Sequence, residues 1–236
     1  MRLLNRGKPR TRLSNSTLLF IIAGIIFLLM YGIAIVSFPV SFRQFQTFFD
    51  FFNLNAALFI TTLGMCIVII GGGIDISVGA VCGLVTMACA LLLQSGAGNV
   101  WGALFLALGI GLAFGLMHGF LIAYLEIQPF IITLAGMFLA QGLLTTLHKE
   151  PLNVTNPDFV ALRRFTIEIP WLGTVNRLGV FIPCEIKPGV IVVVALVVLY
   201  AVLMKWSSFG RNLYAVGGNR HSARMLGINV KKTIFL

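Results

Sequence analysis

Charged residues are scarce in this sequence: they make up 10% of its 236 residues, against about 25% in an average soluble domain. Acidic residues are the scarcest, with 7 Asp and Glu against 17 Lys and Arg. This composition excludes a soluble globule, which needs a polar exterior. Hydrophobic residues instead make up 58% of the chain, and the mean hydropathy is +0.99. Uncharged windows of about 20 residues, enough to cross a bilayer as a helix, predict an all-α, polytopic membrane helix bundle.

Sequence motifs of several enzyme and metal-site classes are also missing. The chain contains no GxxxxGK[ST], HExxH or GxSxG motif, so we expect neither ATP hydrolysis nor other enzymatic chemistry from the chain itself. Its 4 cysteines include no CxxC pair, which favours neither a disulfide framework nor a zinc site. The sequence therefore implies no cofactor and no metal.

Six apolar runs separated by polar, glycine or proline punctuation predict six membrane spans. The spans cover approximately 17–36, 55–70, 76–93, 100–124, 130–147 and 189–204. Acid-free basic clusters precede the first span and follow the last, which assigns both to the cytoplasm by the positive-inside rule. We thus expect one transmembrane domain over 1–236, with a cytoplasmic basic segment at 1–16, a folded external loop at 148–188 and a cytoplasmic loop at 205–232. Because the sequence turns apolar again at its last residues, we expect another span to follow them.

A glycine-rich break separates the second and third spans. Gly72 and Gly73 are followed by Asp75 and Ser77 between two apolar runs. Backbone groups exposed at such a break must face protein, water or the membrane surface. Asp75 and Ser77 could line a polar path, since acidic groups at membrane depth are costly and usually functional. Alternatively, Asp75 caps the helix that starts near Ile76, and the two roles can coexist.

The fourth span carries a stripe of glycines. Gly111, Gly115 and Gly119 recur every four residues on one face, which predicts close packing of a neighbouring helix. His118 lies on the same helix. A proton-relay or ligand role is conceivable for it, but without a second histidine or a carboxylate nearby in sequence we favour a hydrogen-bonded structural histidine.

A short polar turn joins the fourth and fifth spans. Pro129 suits the first turn of the following helix. The side chains of Gln128 and Thr133 could meet a hydrophilic substrate, although a loop cap explains Gln128 equally well.

The cytoplasmic loop contains the signals of a short helix. Asn219 is a plausible N-cap, a helix is expected over Ser222–Leu226, and Gly227 suits the position after its end. Ala223 and Leu226 are expected on one side of this helix, and Arg220 and Arg224 on another. The spacing alone fits an interfacial helix on anionic lipid and a docking element for a cytoplasmic protein equally well.

Three stretches of the sequence carry a resemblance to a known family: Gly72-Gly-Ile-Asp-Ile-Ser-Val-Gly79, Ile127 to Phe138, and Gly210 to Ile228. They resemble the permease subunits of bacterial ribose-type sugar ABC importers. Within that group, Pro129 to Phe138 and Tyr214 to Asn219 look closest to the galactofuranose permease.

The resemblance implies about ten membrane helices per subunit, so the chain is expected to lack the later part of the family's fold. It also implies a second permease subunit, cytoplasmic ATP-binding subunits, a periplasmic sugar-binding protein and a place in the bacterial inner membrane. In this family the loop that meets the ATPase matches Gly217, Gly218, Asn219, Ala223, Leu226 and Gly227. The expected function is import of a monosaccharide by alternating access, with no role in binding nucleic acid.

Two other function classes fit parts of the sequence. A stand-alone channel or secondary transporter for a small polar solute is one alternative, but more ionisable residues within the spans would be expected. A membrane-anchored scaffold that binds acidic partners through its basic loops is the other.

Overall fold

The computed structural model describes residues 15–38, 42, 44–96, 98–150, 152–175 and 180–236. Most of the basic amino-terminal segment predicted over 1–16 lies outside the described residues. The helices are α1 (Asn15–Ser37), α2 (Phe45–Ile70), α3 (Val78–Gln94), α4 (Val100–Ala123), α5 (Pro129–Leu147), α6 (Pro157–Arg164), α7 (Pro188–Trp206), α8 (Ser208–Gly218), α9 (Arg220–Met225) and α10 (Val230–Phe235). Strands β1 (Ile167–Val175) and β2 (Phe181–Ile186) pair in a two-stranded sheet.

All six predicted spans are helices. Five of them, α1, α2, α4, α5 and α7, are long and apolar enough to cross a membrane. The sixth, α3, has 17 residues and is therefore about 26 Å long, slightly less than the bilayer's hydrocarbon core of about 30 Å. The all-α membrane fold is thus confirmed, with five helices of spanning length and one shorter apolar helix.

The second span begins earlier than predicted. Helix α2 starts at Phe45, whereas the sequence prediction began it at Asn55, after the polar residues Asp50 and Asn53. Both polar residues lie within the helix. Asn53 accepts a hydrogen bond from the backbone N–H of Lys187 (2.8 Å), directly before α7, so its side chain caps another helix without interrupting its own.

The chain divides into two compact units. The first comprises Met1–Phe51 with Glu168–Glu185, and within it the first turn of α2 is bonded to β2. Gln46 accepts a hydrogen bond from the backbone N–H of Glu185 (2.7 Å) and donates one to the carbonyl oxygen of the same residue (3.2 Å). Cys184, next to this contact, is buried.

The second unit comprises Phe52–Ile167 with Ile186–Leu236. Its centre is α3, which packs against both α4 and α5. Helix α8 packs against α7 and α9, and α10 packs against α4. This arrangement brings the segment after the last span onto the ends of the membrane helices.

The segment predicted as a folded external loop, 148–188, contains α6 and the β1–β2 hairpin. The sequence predicted an all-helical fold, so this sheet was not expected. The side of the membrane on which the segment lies remains a prediction.

Candidate functional site

The break between α2 and α3 has a defined geometry. Helix α2 ends at a left-handed residue, Gly72 (φ +78°). The backbone N–H of Gly72 bonds to the carbonyl of Ile69 (3.0 Å), and that of Gly73 bonds to the carbonyl of Val68 (2.9 Å). These two bonds form a Schellman motif, the C-terminal closure that glycine favours. The apolar residues on the two sides of the break therefore form two separate helices, α2 and α3.

Asp75 organises the other side of the break. One of its carboxylate oxygens accepts hydrogen bonds from the backbone N–H of Ser77 (2.8 Å) and from the hydroxyl of Ser77 (2.6 Å). Ser77 is the N-cap residue of α3, and its own side chain makes no capping bond. The capping interpretation of Asp75 is thus correct in kind, but the helix starts at Val78 and the bonded N–H belongs to the N-cap residue.

Thr133 joins α5 to the break. Its hydroxyl is buried and donates to the carbonyl oxygen of Ile74 at 3.4 Å, with Phe130 of its own helix as the alternative acceptor at 3.3 Å. Pro129 occupies the first turn of α5 as predicted, and Gln128 is its N-cap residue without a side-chain capping bond. The loop-cap interpretation of Gln128 is therefore wrong, because its exposed amide caps no backbone group of α5.

A cavity of about 230 Å³ lies beside the break. Its polar lining residues are Asp75, His118, Thr133, Arg220 and Thr233. They come from the break and from α4, α5, α9 and α10. Fold topology thus brings together ionisable groups that are far apart in sequence.

His118 differs from its sequence prediction in two respects. Only 7% of its surface is exposed, and its Nε2 has no hydrogen-bond partner among the described residues, so the expected hydrogen bond is not made by this nitrogen. A carboxylate, that of Asp75, also lines the same cavity. The ring fits against Gly136 of α5, where a Cβ would collide with Nε2, and stacks edge-on against Phe114 at 5.8 Å between ring centroids.

The glycine stripe of α4 has one close neighbour. A Cβ on Gly119 would stand 3.0 Å from the carbonyl oxygen of Phe235 in α10. At Gly111 and Gly115, no described atom lies within 4 Å of the corresponding position. Close packing against Gly111 and Gly115 therefore stays a prediction.

Two further contacts hold α10 near the α4–α5 turn. Glu126, whose φ is +56°, forms an exposed ion pair with Lys231 (3.1 Å). Tyr124 packs edge-on against Phe235 at 5.7 Å between ring centroids. Neither contact is predictable from the sequence, because no local pattern links residues so far apart in the chain.

The short helix predicted after the last span forms, but it covers Arg220–Met225 and not Ser222–Leu226. Asn219 caps α9 by accepting a hydrogen bond from the backbone N–H of Ser222 (2.9 Å). Gly227 (φ +80°) follows the helix, and the N–H of Ile228 bonds to the carbonyl of Ala223 (3.1 Å), which closes a second Schellman motif. The predicted cap and stop residues are therefore confirmed.

The prediction that Ala223 and Leu226 share one side of α9 is wrong. Ala223 is 1% exposed and packs in a core with Val216 and Val230. Leu226 is 77% exposed and adjoins Met225, which is 79% exposed. The six-residue helix ends before Leu226, so helical spacing does not apply to that residue. We call these two exposed side chains the Met225–Leu226 ridge.

Two arginines lie in α9, the helix that ends at the ridge. Arg220 and Arg224 are both exposed, and no acidic residue occurs anywhere in 205–232. The surface at the end of the last span is therefore basic with an apolar ridge, and it is held in shape by the buried core beneath it.

Comparison with known proteins agrees with these features. Residues 47–236 match the family described as branched-chain amino acid transport system / permease component. The chain is 33% identical to the inner membrane ABC transporter permease protein YjfF of Escherichia coli, over 88% of the chain and 59% of the relative. It is 32% identical to the E. coli ribose import permease RbsC (86% and 60%), and 31% identical to the E. coli galactofuranose transporter permease YtfT (82% and 52%).

The sequence identities to these three relatives differ too little to place the chain closest to the galactofuranose permease. The chain spans between 52% and 60% of the length of these three relatives. No solved structure matches it. By its family match and its relatives, this multi-pass membrane chain belongs to the family of permease components that includes the ribose-type sugar ABC permeases.

Proposed function

We propose that the chain is the membrane-spanning permease subunit of an ATP-binding-cassette importer, and that it moves a monosaccharide, a pentose or a hexose, into the cytoplasm. The observation that carries this proposal is the basic surface with the Met225–Leu226 ridge, held rigidly after the last span of a chain that belongs to a permease family. Relatives named for ribose and galactofuranose support a sugar as the cargo.

The proposed assembly contains a second permease subunit, identical or different, together with cytoplasmic ATP-binding subunits and a periplasmic sugar-binding protein. It lies in the bacterial inner membrane with the amino terminus in the cytoplasm, as the basic residues before α1 and after α7 indicate. ATP hydrolysis belongs to the separate ATP-binding subunits.

Docking uses the exposed face of the α8–α10 segment. Leu226 and Met225 offer apolar side chains for a pocket, and Arg220 and Arg224 offer charge for acidic groups around it. Asn219 and Gly227 set the backbone at the two ends of α9. Ala223 contributes by supporting the ridge from inside, since its buried side chain cannot reach a partner.

Transport follows an alternating-access cycle. Closure of the ATP-binding subunits moves the docked segment, and the membrane helices rearrange around the break at Gly72, Gly73, Asp75 and Ser77. Gln128 and Thr133 lie at the start of α5, beside this break, and complete the proposed polar path. Helix packing through Gly111 and Gly115 belongs to the assembled transporter.

The docking role is tested by purifying the tagged chain from membranes that also contain its candidate ATP-binding subunits. Leu226→Glu places a carboxylate on the ridge and is expected to remove the ATP-binding subunit from the purified complex. Leu162→Glu is the matched control, because Leu162 is an exposed leucine on α6, in the predicted external segment. Retention of the ATP-binding subunit by Leu226→Glu, at normal abundance of the chain, would refute docking through the ridge.

The cargo is tested by uptake of labelled ribose, galactose and fructose into cells that depend on this permease. Accumulation of at least one sugar, lost on deletion of the permease, is the expected result. Uptake of none of them, with ATPase binding intact, would refute a monosaccharide cargo.

A further inference from the structure

The α8–α10 segment meets the helix break through backbone atoms. A Cβ on Gly217 would collide with the carbonyl oxygen of Ile70 and would stand 2.9 Å from its carbonyl carbon and 3.4 Å from that of Gly71. From the other side, a Cβ on Gly72 would lie 3.8 Å from the Cα and from the carbonyl oxygen of Gly217. No side chain therefore separates the two chain segments at this point.

A second contact lies one helical turn away on the same helix. The buried side chain of Leu213 reaches within 3.0 Å of the position that a Cβ on Gly71 would occupy. Residues 213 and 217 are four apart and share one face of α8. One face of α8 thus rests on the end of α2.

A packed core lies next to this contact, in the same segment as the exposed ridge. Val216, adjacent to Gly217, is 1% exposed and packs with Ala223 and Val230. Close-packed side chains transmit displacement because such a core cannot deform continuously. A force applied at Leu226 therefore reaches Gly217 through a single packed core.

Few side-chain hydrogen bonds hold the break between α2 and α3. Residues 73–77 form no regular secondary structure. In the described part of the chain, the side chain of Asp75 bonds to Ser77 and that of Thr133 bonds to the carbonyl oxygen of Ile74. A shift of Gly71 can therefore reorient Asp75 without unwinding either helix.

We propose that the backbone contact of Gly217 with Ile70–Gly72 is the point at which movement of the docked α8–α10 segment passes into the membrane helices. Gly217 acts as a positioning residue, and Asp75, four residues beyond Gly71 and on the wall of the cavity, is the group that it moves. This inference rests on the proposed importer function. It assigns to Gly217 a role distinct from docking, because its contact is with its own chain.

The test compares Gly217→Ala with Gly109→Ala in the assembled transporter. Gly109 lies within helix α4, outside the α8–α10 segment, and no described atom lies within 4 Å of a Cβ on it, so only Gly217→Ala separates the segment from the break. We expect Gly217→Ala to keep the ATP-binding subunit bound, leave the KM for ATP unchanged, and reduce sugar imported per ATP hydrolysed by about tenfold. Gly109→Ala is expected to match the wild type in all three measurements.

Equal coupling in the two alanine variants would overturn the inference and leave docking through Leu226 intact. Loss of the ATP-binding subunit with Gly217→Ala would also overturn it, because the residue would then act in docking.

A second pair of measurements applies if Gly217→Ala does not accumulate. Leu213→Ala removes a contact with the break and introduces no steric clash, and it is expected to lower coupling in the same direction. In the wild-type complex, hydrogen exchange at the amides of Gly71 to Ser77 is expected to change when the ATP-binding subunits bind nucleotide. Unchanged exchange there, with altered exchange at Ser222 to Gly227, would refute transmission through this contact.

Discussion

The fit of His118 into α5 predicts a position-specific effect of adding one methyl group. The Nε2 atom of His118 lies where a Cβ on Gly136 would stand, and its Cε1 lies 2.6 Å from the same point. Gly136→Ala therefore forces the ring or helix α5 to move. Inserting an atom into a well-packed site costs about 1–3 kcal/mol.

Gly142→Ala is the matched control for this substitution. Gly142 lies on the same helix, and no described atom is within 4 Å of its Cβ position. Both variants gain the same helix propensity, so their difference isolates the clash. At about 3 °C per kcal/mol for a chain of this size, Gly136→Ala should unfold about 3 to 9 °C below Gly142→Ala.

The measurement is thermal unfolding of the detergent-purified chain, followed by loss of the soluble, tagged monomer on size exclusion. His118→Ala removes the ring and should rescue most of the deficit when combined with Gly136→Ala. Equal melting temperatures for Gly136→Ala and Gly142→Ala would refute the close approach of the His118 ring to Gly136. A double variant no more stable than Gly136→Ala alone would show that the added methyl group clashes with something other than the ring.

Two further predictions concern the break and the hairpin. Asp75→Asn retains an oxygen acceptor for the N–H of Ser77 and should preserve more transport than Asp75→Ala; equal and complete loss at normal abundance would indicate that the charge itself is required. Burial raises the pKa of the Cys184 thiol, and the nearby Asp50 carboxylate raises it further, which lowers the thiolate fraction at any given pH. Maleimide labelling of Cys184 should therefore stay slow at neutral pH, speed up as the pH rises, and become fast in SDS; rapid labelling of the folded chain at neutral pH would contradict its burial.

The membrane helices could be predicted from the sequence because each is a long apolar run. The ends of α9 could be predicted for a similar reason. Its N-cap at Asn219 and its stop at Gly227 depend on hydrogen bonds within a few residues, so the local sequence carries the signal.

Helix α8 could not be predicted from local propensity. It contains three glycines, at 210, 217 and 218, and glycine disfavours a helix interior by about 1 kcal/mol. Two of these glycines are required by close approaches: Gly210 meets the carbonyl of Met204, and Gly217 meets that of Ile70. Tertiary contact therefore determines both the helix and the residues that weaken it.

The buried face of α9 could not be predicted from the local sequence either. Six residues make fewer than two turns, so spacing alone gives no strong preference for one face. Val216 and Val230, on either side of the helix in sequence, decide that Ala223 points inward. The same limit applies to His118 and Asp75, which only the packed fold brings to one cavity.

The Gln46 contact occupies one peptide group on the open edge of the β1–β2 hairpin. A two-stranded sheet has open edges, and an open edge can pair with another polypeptide. At Glu185 the side-chain amide of Gln46 accepts from the N–H and donates to the carbonyl, which reproduces the pairing that a neighbouring peptide group would make. The edge of β2 is thus occupied at that residue, so a single glutamine protects the hairpin there from strand addition and fixes its register against the first turn of α2.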